Sequence, residues 1–151
     1  MDLITTLEQV FATNFEVYYR THVAHVNIVG RNFYSDHKLL QGIYEGLQEN
    51  IDTLAEFLRT LRAMMPKNLA AVQEMSVTSD FEVTGNAITL LQAVYDDLET
   101  LIDLYKDLNT VAEEEDHSEI ANYAQDQLRL LRKSCWQLRS ILEDEDADED
   151  D

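Results

Sequence analysis

Side chains that can bind a metal ion occur close together in the first part of the 151-residue chain. The candidates are His22, His25, His37, Asp52 and Glu56. Imidazole nitrogen and carboxylate oxygen both bind divalent iron, and open coordination positions let oxygen or peroxide reach the metal. Asp52 and Glu56 are four residues apart, so on a helix both project from one face and could hold one cation.

The spacing of these residues separates them into two groups. His37 precedes Asp52 by fifteen residues on one predicted helix, which at 1.5 Å rise per residue places them roughly 22 Å apart. One ion cannot contact both within one chain. If they share a site, the carboxylates come from a neighbouring subunit packed antiparallel, while His25, across the Gly30 turn, could join His37 from the same subunit.

Four long segments carry the apolar periodicity of helices that bury one face. Gly30 ends the first segment, the second ends before Pro66, and Asp116 with Ser118 offers N-cap chemistry for the fourth. The predicted helices are about 3–29, 32 or 35–61, 84 or 86–114, and 118–142.

The connection at residues 66–84 is longer than ordinary bundle loops, and it contains one short predicted helix at about 69–75. Two helix pairs joined by one long crossover have the connectivity of ferritin-like bundles. We therefore predict an all-α, ferritin-like four-helix bundle over residues 1–142. Residues 143–151 form an acidic tail that we expect to be disordered, because like charges repel and nothing there can pack.

The composition restricts the partners. The chain has 30 acidic and 11 basic residues besides histidine, a formal charge of −19. Such a surface repels nucleic acid and anionic membranes. The sequence has no apolar run long enough to span a membrane, and it begins without a basic, then apolar, signal segment. Its single cysteine, Cys135, cannot form an intrachain disulfide, so we expect a soluble protein of the reducing cytoplasm.

The order and spacing of these motifs resemble the signature of the Dps family. A histidine, His25, precedes a glycine–aromatic turn, and His37 follows twelve residues after it. An Asp-x-x-x-Glu motif, Asp52 to Glu56, comes on the same helix. Residues 116–122 and 136–142 are similar to the family's last helix, and the likeness covers about residues 5–142.

The resemblance implies a hollow shell of twelve subunits with ferroxidase centres at its two-fold interfaces. Ferrous iron is oxidised there, commonly by hydrogen peroxide, and ferric mineral collects inside. His25 and His37 of one subunit, with Asp52 and Glu56 of its partner, would be the catalytic metal ligands, and iron the metal. The acidic charge agrees, because it attracts cations.

The chain departs from the family pattern at two positions. Gln41 stands where an acidic residue usually follows the second histidine, and Val26 replaces a tryptophan proposed to intercept radicals. Tyr18, Tyr19 or Tyr34 could serve instead. The basic N-terminal tail with which some relatives bind DNA is absent, so we do not expect DNA binding.

The ferroxidase has two rivals, of which the departures at Gln41 and Val26 permit the first. One is a structural cage with a degraded centre. The other is an acidic helical module that does not assemble.

Several other residues are open to more than one interpretation. His22 fits an outer-shell or surface residue, and we assign the Glu114-x-x-His117 spacing to chance. The acids at 113–116, with Glu119, fit an iron-entry pore or favourable helix-dipole interaction equally well. We expect Trp136 to anchor the last helix and Cys135 to be a buried apolar residue.

Overall fold

The computed structural model describes residues 1–149, with the backbone alone for residues 144–149. Five helices lie along this part of the chain, and they confirm the predicted four long helices with a short one in the crossover. The helices are α1 (Leu3–Asn27), α2 (Phe33–Thr60), α3 (Leu69–Met75), α4 (Ala87–Glu114) and α5 (Ser118–Glu149).

The hairpin of α1 and α2 begins and turns where the sequence supplies the required residues. Asp2 caps α1, because its carboxylate accepts a hydrogen bond from the Thr5 amide at 2.8 Å. The turn after α1 contains Gly30, whose φ of 138° is accessible without strain only to glycine. The sequence predicted that Gly30 ends the first helix, but α1 ends earlier, at Asn27, because Ile28 is already extended with φ −59° and ψ 137°. Gly30 instead turns the chain towards α2.

Two asparagines set the ends of the crossover. The Asn68 side chain accepts a hydrogen bond from the Ala71 amide at 2.9 Å, which starts α3. The Asn86 side chain accepts a hydrogen bond from the Thr89 amide at 2.9 Å, which starts α4. The crossover therefore has a defined path between the two helical hairpins.

Arg20 of α1 ties the crossover to the bundle. Its guanidinium donates to the Asp97 carboxylate of α4 at 3.2 Å and to the Ser79 carbonyl of the crossover. It also lies over the Phe81 ring, 5.5 Å from the centroid. One side chain thus joins α1, α4 and the connection between the hairpins.

The core lies between the two hairpins. α1 packs along α2, α4 packs along α5, and α1 also contacts α4 and α3. The largest fully buried side chains are Tyr105 and Phe11, with leucines from the long helices around them. Burial of each large apolar side chain contributes roughly 1.5–3 kcal/mol, so this continuous core holds the four helices in register.

The last helix confirms one prediction and corrects another. Cys135 is buried, as expected, and burial raises the pKa of its thiol to about 12, so the thiol stays protonated. Trp136 does not anchor α5 within the chain, because 55% of its surface is exposed. One residue further along a helix is a rotation of about 100°, which turns Trp136 away from the core that holds Cys135.

The predicted acidic tail begins inside α5, which runs to Glu149. Asp150 and Asp151 lie outside the described residues, and the disorder of residues 143–151 stays a prediction. No helix in the described part of the chain is long and apolar enough to cross a membrane.

Candidate metal centre

The turn between α1 and α2 brings His25 and His37 into direct contact. Each imidazole Nδ1 lies 2.7 Å from the backbone carbonyl oxygen of the other residue. The two rings stack with their centroids 3.7 Å apart and an angle of 14° between their planes. This reciprocal pair confirms the expected approach of the two histidines across the Gly30 turn.

The reciprocal bonds determine which ring nitrogens can bind a metal. A carbonyl oxygen only accepts hydrogen bonds, so Nδ1 of each ring carries the proton. Nε2 of each neutral ring then keeps its lone pair, which is the form that binds metal. In their neutral forms, His25 and His37 therefore present two separate Nε2 atoms that could bind a metal, and the two hydrogen bonds orient both rings.

The surroundings of His25 favour its neutral form. Burial lowers the pKa of His25. The hydrogen bond to the His37 carbonyl raises this pKa, and the nearby charges of His37, His22 and Lys38 lower it further. A lower pKa keeps Nε2 unprotonated at more acidic pH. The ring is therefore ready to bind a cation without first losing a proton.

Aromatic rings enclose the histidine pair on both sides. Phe33 stacks against His37 with centroids 4.9 Å apart, and Tyr44 meets His25 edge-on at 5.0 Å. His22 lies flat on Tyr44 at 4.1 Å, and the Tyr18 hydroxyl is 3.3 Å from His22 Nδ1. These contacts place His22 beside the pair, and its role as an outer-shell residue stays a prediction.

Tyr44 belongs to the ring cluster around the histidines, and the sequence pattern did not predict it. It follows His37 by seven residues, two helical turns, so both lie on one face of α2. The spacing of Tyr18, His22 and His25 on α1 gives a matching stripe. The combined periodicity could have indicated the cluster, although it does not say which turns of the two helices are adjacent.

Asp52 and Glu56 form a second, separate group on an exposed part of α2. The neighbouring Asp52 raises the pKa of Glu56, first through a side-chain hydrogen bond and then through like-charge repulsion. A divalent cation between the two carboxylates would relieve that repulsion.

The two groups do not meet within one chain. α2 is continuous from Phe33 to Thr60, so the rise of a helix keeps His37 about 22 Å from Asp52. Within the described residues of a single chain, no three His, Cys, Asp or Glu side chains converge into a group that could hold a metal ion. The structure thus gives a histidine pair and a carboxylate pair on different parts of the subunit.

The structure also gives the surroundings of Gln41 and Val26, the two residues that depart from the family pattern. Gln41 donates from its amide to the Glu45 carboxylate at 2.8 Å, one turn further along α2. Val26 is 65% exposed, and Tyr19 and Tyr34 are exposed as well. Of the three tyrosines considered, only Tyr18 belongs to the ring cluster beside the histidines.

The histidine at the α4–α5 junction has a local partner. His117 Nδ1 lies 2.9 Å from the Glu119 carboxylate, and this hydrogen bond lowers the pKa of Glu119. Glu115 at the same junction accepts a hydrogen bond from the Leu3 amide at 2.8 Å, which holds the start of α1. These contacts stabilise the junction, and the iron-entry pore stays a prediction.

Comparison with known proteins agrees with the fold. The ferritin-like domain model matches residues 4–147. With its two hairpins and single long crossover, the chain is a ferritin-like protein.

Within that class the chain belongs to the Dps family. It is 30% identical over 130 residues to the DNA protection during starvation protein of Brevibacillus brevis, covering 84% of this chain and 85% of that one. It is 28% identical to the protein of that name from Helicobacter pylori, covering 94% and 99%. A crystal structure of a Dps protein from Bacillus brevis superposes with a TM-score of 0.88 at 26% identity, covering 93% and 94%.

Proposed function

We propose that this chain is the subunit of an iron-storing cage that oxidises Fe(II) at centres shared between two subunits. The observation that carries the proposal is the reciprocal histidine pair, whose Nδ1 hydrogen bonds leave Nε2 of each neutral ring available to a metal, together with a carboxylate pair out of its reach further along α2. Two copies of α2 packed antiparallel would bring each histidine pair to the partner's carboxylates.

Each group has a distinct task in the proposed centre. His25 and His37 bind Fe(II) through neutral nitrogen, and Asp52 and Glu56 of the partner subunit supply the negative charge that stabilises the ferric product. Hydrogen peroxide, the proposed oxidant, accepts two electrons from two ferrous ions and, with two protons, leaves as two water molecules. The ferric product then collects inside the cage.

Exposed apolar side chains beside the histidines support a subunit interface there. Val26, Phe33 and Tyr34 are neighbours of the pair along the chain, and each is more than 40% exposed in the single subunit. Exposed apolar residues in such proximity are typical of protein–protein contacts. A partner subunit on this surface would also exclude water from the centre.

The charge of the chain favours iron over nucleic acid. A shell of twelve such subunits would carry a formal charge of 12 × −19 = −228. That charge attracts cations and repels the DNA backbone. We therefore propose a cytoplasmic cage that stores iron without binding DNA directly.

A second candidate is a cage of the same architecture whose ferroxidase centre is degraded. Gln41 favours it, because this amide is bound to Glu45 and adds no charge beside the histidines. Under this alternative the shell assembles but oxidises iron no faster than free solution does.

Iron oxidation by the purified protein separates the two candidates. Ferrous iron with peroxide should give a rapid rise in ferric absorbance with the parent, and His37→Ala or Glu56→Ala should slow it at least ten-fold. Asp103→Ala is the matched control, because it removes an exposed carboxylate of α4 that belongs to neither proposed ligand group. Equal rates for parent and both site variants would leave only the structural cage.

Light scattering on the same samples measures assembly. A cage of twelve subunits would weigh about twelve times the subunit mass of 17.4 kDa. A particle of one subunit mass would support the non-assembling module instead.

A further inference from the structure

The turn between α1 and α2 is fastened to the end of the crossover. The Val29 amide donates a hydrogen bond to the Gly85 carbonyl at 2.9 Å, and Val29 and Asn86 form an isolated parallel β-bridge. Asn86 is also the N-cap of α4. The turn is thereby joined to the start of the second helical hairpin.

Gly85 permits this close approach because it has no side chain. A Cβ at this position would lie 3.1 Å from Val29 Cγ2 and 3.5 Å from the Asn27 carbonyl oxygen. The first distance is tighter than nine in ten Cβ contacts, so the Val29 side chain or the turn that carries it must shift, whereas the second is an ordinary contact. The space at Gly85 is therefore restricted mainly by one methyl group of Val29.

The histidine pair lies directly on either side of the same turn. Its two hydrogen bonds join residues twelve apart in the chain, so their lengths depend on how the turn places the end of α1 against the start of α2. N–H···O hydrogen bonds usually have donor–acceptor distances of about 2.7–3.2 Å, and they weaken steeply when misaligned. A small shift of the turn would change both bonds and both ring orientations together.

We infer that the contact between Val29 and Gly85 is a positioning clamp for His25 and His37. The clamp holds the turn in the conformation in which each Nδ1 proton is bound by the opposite carbonyl. Both ring orientations then depend on two residues that are outside the ring cluster. The consequence for metal binding rests on the proposed function, but the consequence for the imidazoles does not.

The test uses Gly85→Ala, which places a methyl group against Val29, and the double variant Gly85→Ala/Val29→Ala, which removes the obstructing Cγ2. Gly46→Ala is the matched control, because a Cβ there meets nothing within 4 Å. Val29→Pro is a second, independent variant that deletes the donor N–H. Ile28 already has φ −59° and ψ 137°, the conformation expected before proline.

Two readouts are measured on the assembled protein. The first is the ¹⁵N spectrum of the metal-free protein labelled at its four histidines, recorded by solid-state NMR, which reports the Nδ1–H tautomer and its hydrogen bonds. The second is the affinity for Co(II), a divalent probe that peroxide-free buffer leaves unoxidised.

We expect Gly85→Ala and Val29→Pro to broaden or split two histidine signals and to weaken Co(II) binding about ten-fold, as loss of ligand orientation does. The double variant should recover both properties to those of Val29→Ala, and Gly46→Ala should match the parent. Recovery of this kind distinguishes positioning from general destabilisation.

Parent-like spectra and Co(II) affinity in both Gly85→Ala and Val29→Pro would overturn the inference, as would a double variant no better than Gly85→Ala. If Gly85→Ala does not assemble, Val29→Pro and the double variant decide. Absence of histidine-dependent Co(II) binding in the parent would count against the proposed function alone, since the imidazole spectra would still test the clamp.

Discussion

At the scale of single residues, the hydrogen bonds of the imidazoles matter as much as their identity. His25 binds the His37 carbonyl through Nδ1, so its proposed ligand atom and its structural atom are different nitrogens. An asparagine side chain can place an N–H near the position of Nδ1, but it has no equivalent of Nε2. Substitution can therefore separate the two functions of one ring.

We expect His25→Asn to fold and assemble with the parent's thermal stability at neutral pH, and to lose Co(II) affinity at least ten-fold. His22→Asn, one turn away and stacked on Tyr44, is the control for losing a ring from the same cluster. Calorimetric titration measures the Co(II) affinity of both variants, and thermal unfolding measures their stability. Undiminished Co(II) affinity in His25→Asn would remove His25 from the proposed ligand set.

The lowered pKa of His25 also predicts that the stability of the protein depends on pH. Burial lowers its pKa in the folded protein below the ordinary value of 6.5, so below that pH the unfolded chain binds the proton more readily. This group therefore contributes destabilisation that appears as the pH falls below about 6.5. The His25→Asn comparison isolates this effect, because the difference in unfolding midpoint should shift in favour of the variant as the pH falls.

At the scale of helices and their connections, most of the fold followed from local sequence rules. Asn68 and Asn86 cap the starts of α3 and α4 because a cap acts within one turn, and the short helix has the predicted bounds Leu69–Met75. α2 ends at Thr60, six residues before Pro66, and Arg62 has a left-handed φ of 66°. Contacts between distant segments left no comparable signal. The Val29–Gly85 bond joins residues 56 apart in the sequence, and the exposure of Trp136 depends on how α5 rotates against the core.

The candidate site shows the same division. The histidine pair was predictable because both residues flank one short turn, and the separation of the carboxylates followed from helical rise alone. The roles of the four residues stay predictions, since they depend on a second copy of the chain. The reciprocal Nδ1 bonds and the Tyr44 ring depend on the register between α1 and α2, which periodicity does not determine.

The glycines of α2 predict that substitution by alanine changes stability. Gly42 and Gly46 lie within α2, and an added Cβ at either meets nothing within 4 Å. Alanine at Gly46 should therefore raise the free energy of unfolding by about 0.5–1 kcal/mol, because alanine loses less backbone entropy in a helix. Gly30→Ala should lower it, since φ is 138° there.

Denaturant unfolding at equal subunit concentration measures both glycine variants. A loss of stability in Gly46→Ala would show that another surface packs against this part of α2.

Asp97 gives the connection between the hairpins its own pH dependence. Burial raises its pKa from 3.8 to about 6, and the Arg20 guanidinium opposes the rise only in part. Between these values the folded protein binds more protons than the unfolded chain, so stability from this group rises as the pH falls from 6 to 4. The Asp97→Asn variant should lack this contribution.

The expected difference is on the order of 2–3 kcal/mol per subunit between pH 6 and pH 4. Chemical unfolding of parent and Asp97→Asn at the two pH values measures it. Asp103→Asn is the matched control, because it removes an exposed carboxylate of the same helix and leaves Asp97 and its neighbours in place. Parallel pH profiles for parent and Asp97→Asn would contradict the assignment to Asp97.

At the scale of the whole molecule, the proposed centre requires two copies of the chain. The single subunit exposes the apolar residues near the histidines, and its carboxylate pair lies on a different part of α2. A symmetric dimer would place the same surface of each subunit against the other, and would therefore complete two centres at once. The proposal thus predicts how defects in different subunits combine.

Complementation between two inactive variants tests this claim most directly. His37→Ala and Glu56→Ala subunits are co-expressed so that they assemble together, and the rate of ferric absorbance is compared with that of each variant alone. A mixed dimer keeps one intact centre, built from the unaltered histidines of one subunit and the unaltered carboxylates of the other. Random pairing makes half of the dimers mixed, so about a quarter of the parental rate should return.

His37→Ala co-expressed with His25→Ala is the control, because both changes damage the same half of the centre and no mixed dimer has an intact one. The shared centre predicts recovery in the first pair and none in the second. No recovery in the first pair, from cages shown by mass spectrometry to contain both subunits, would contradict it.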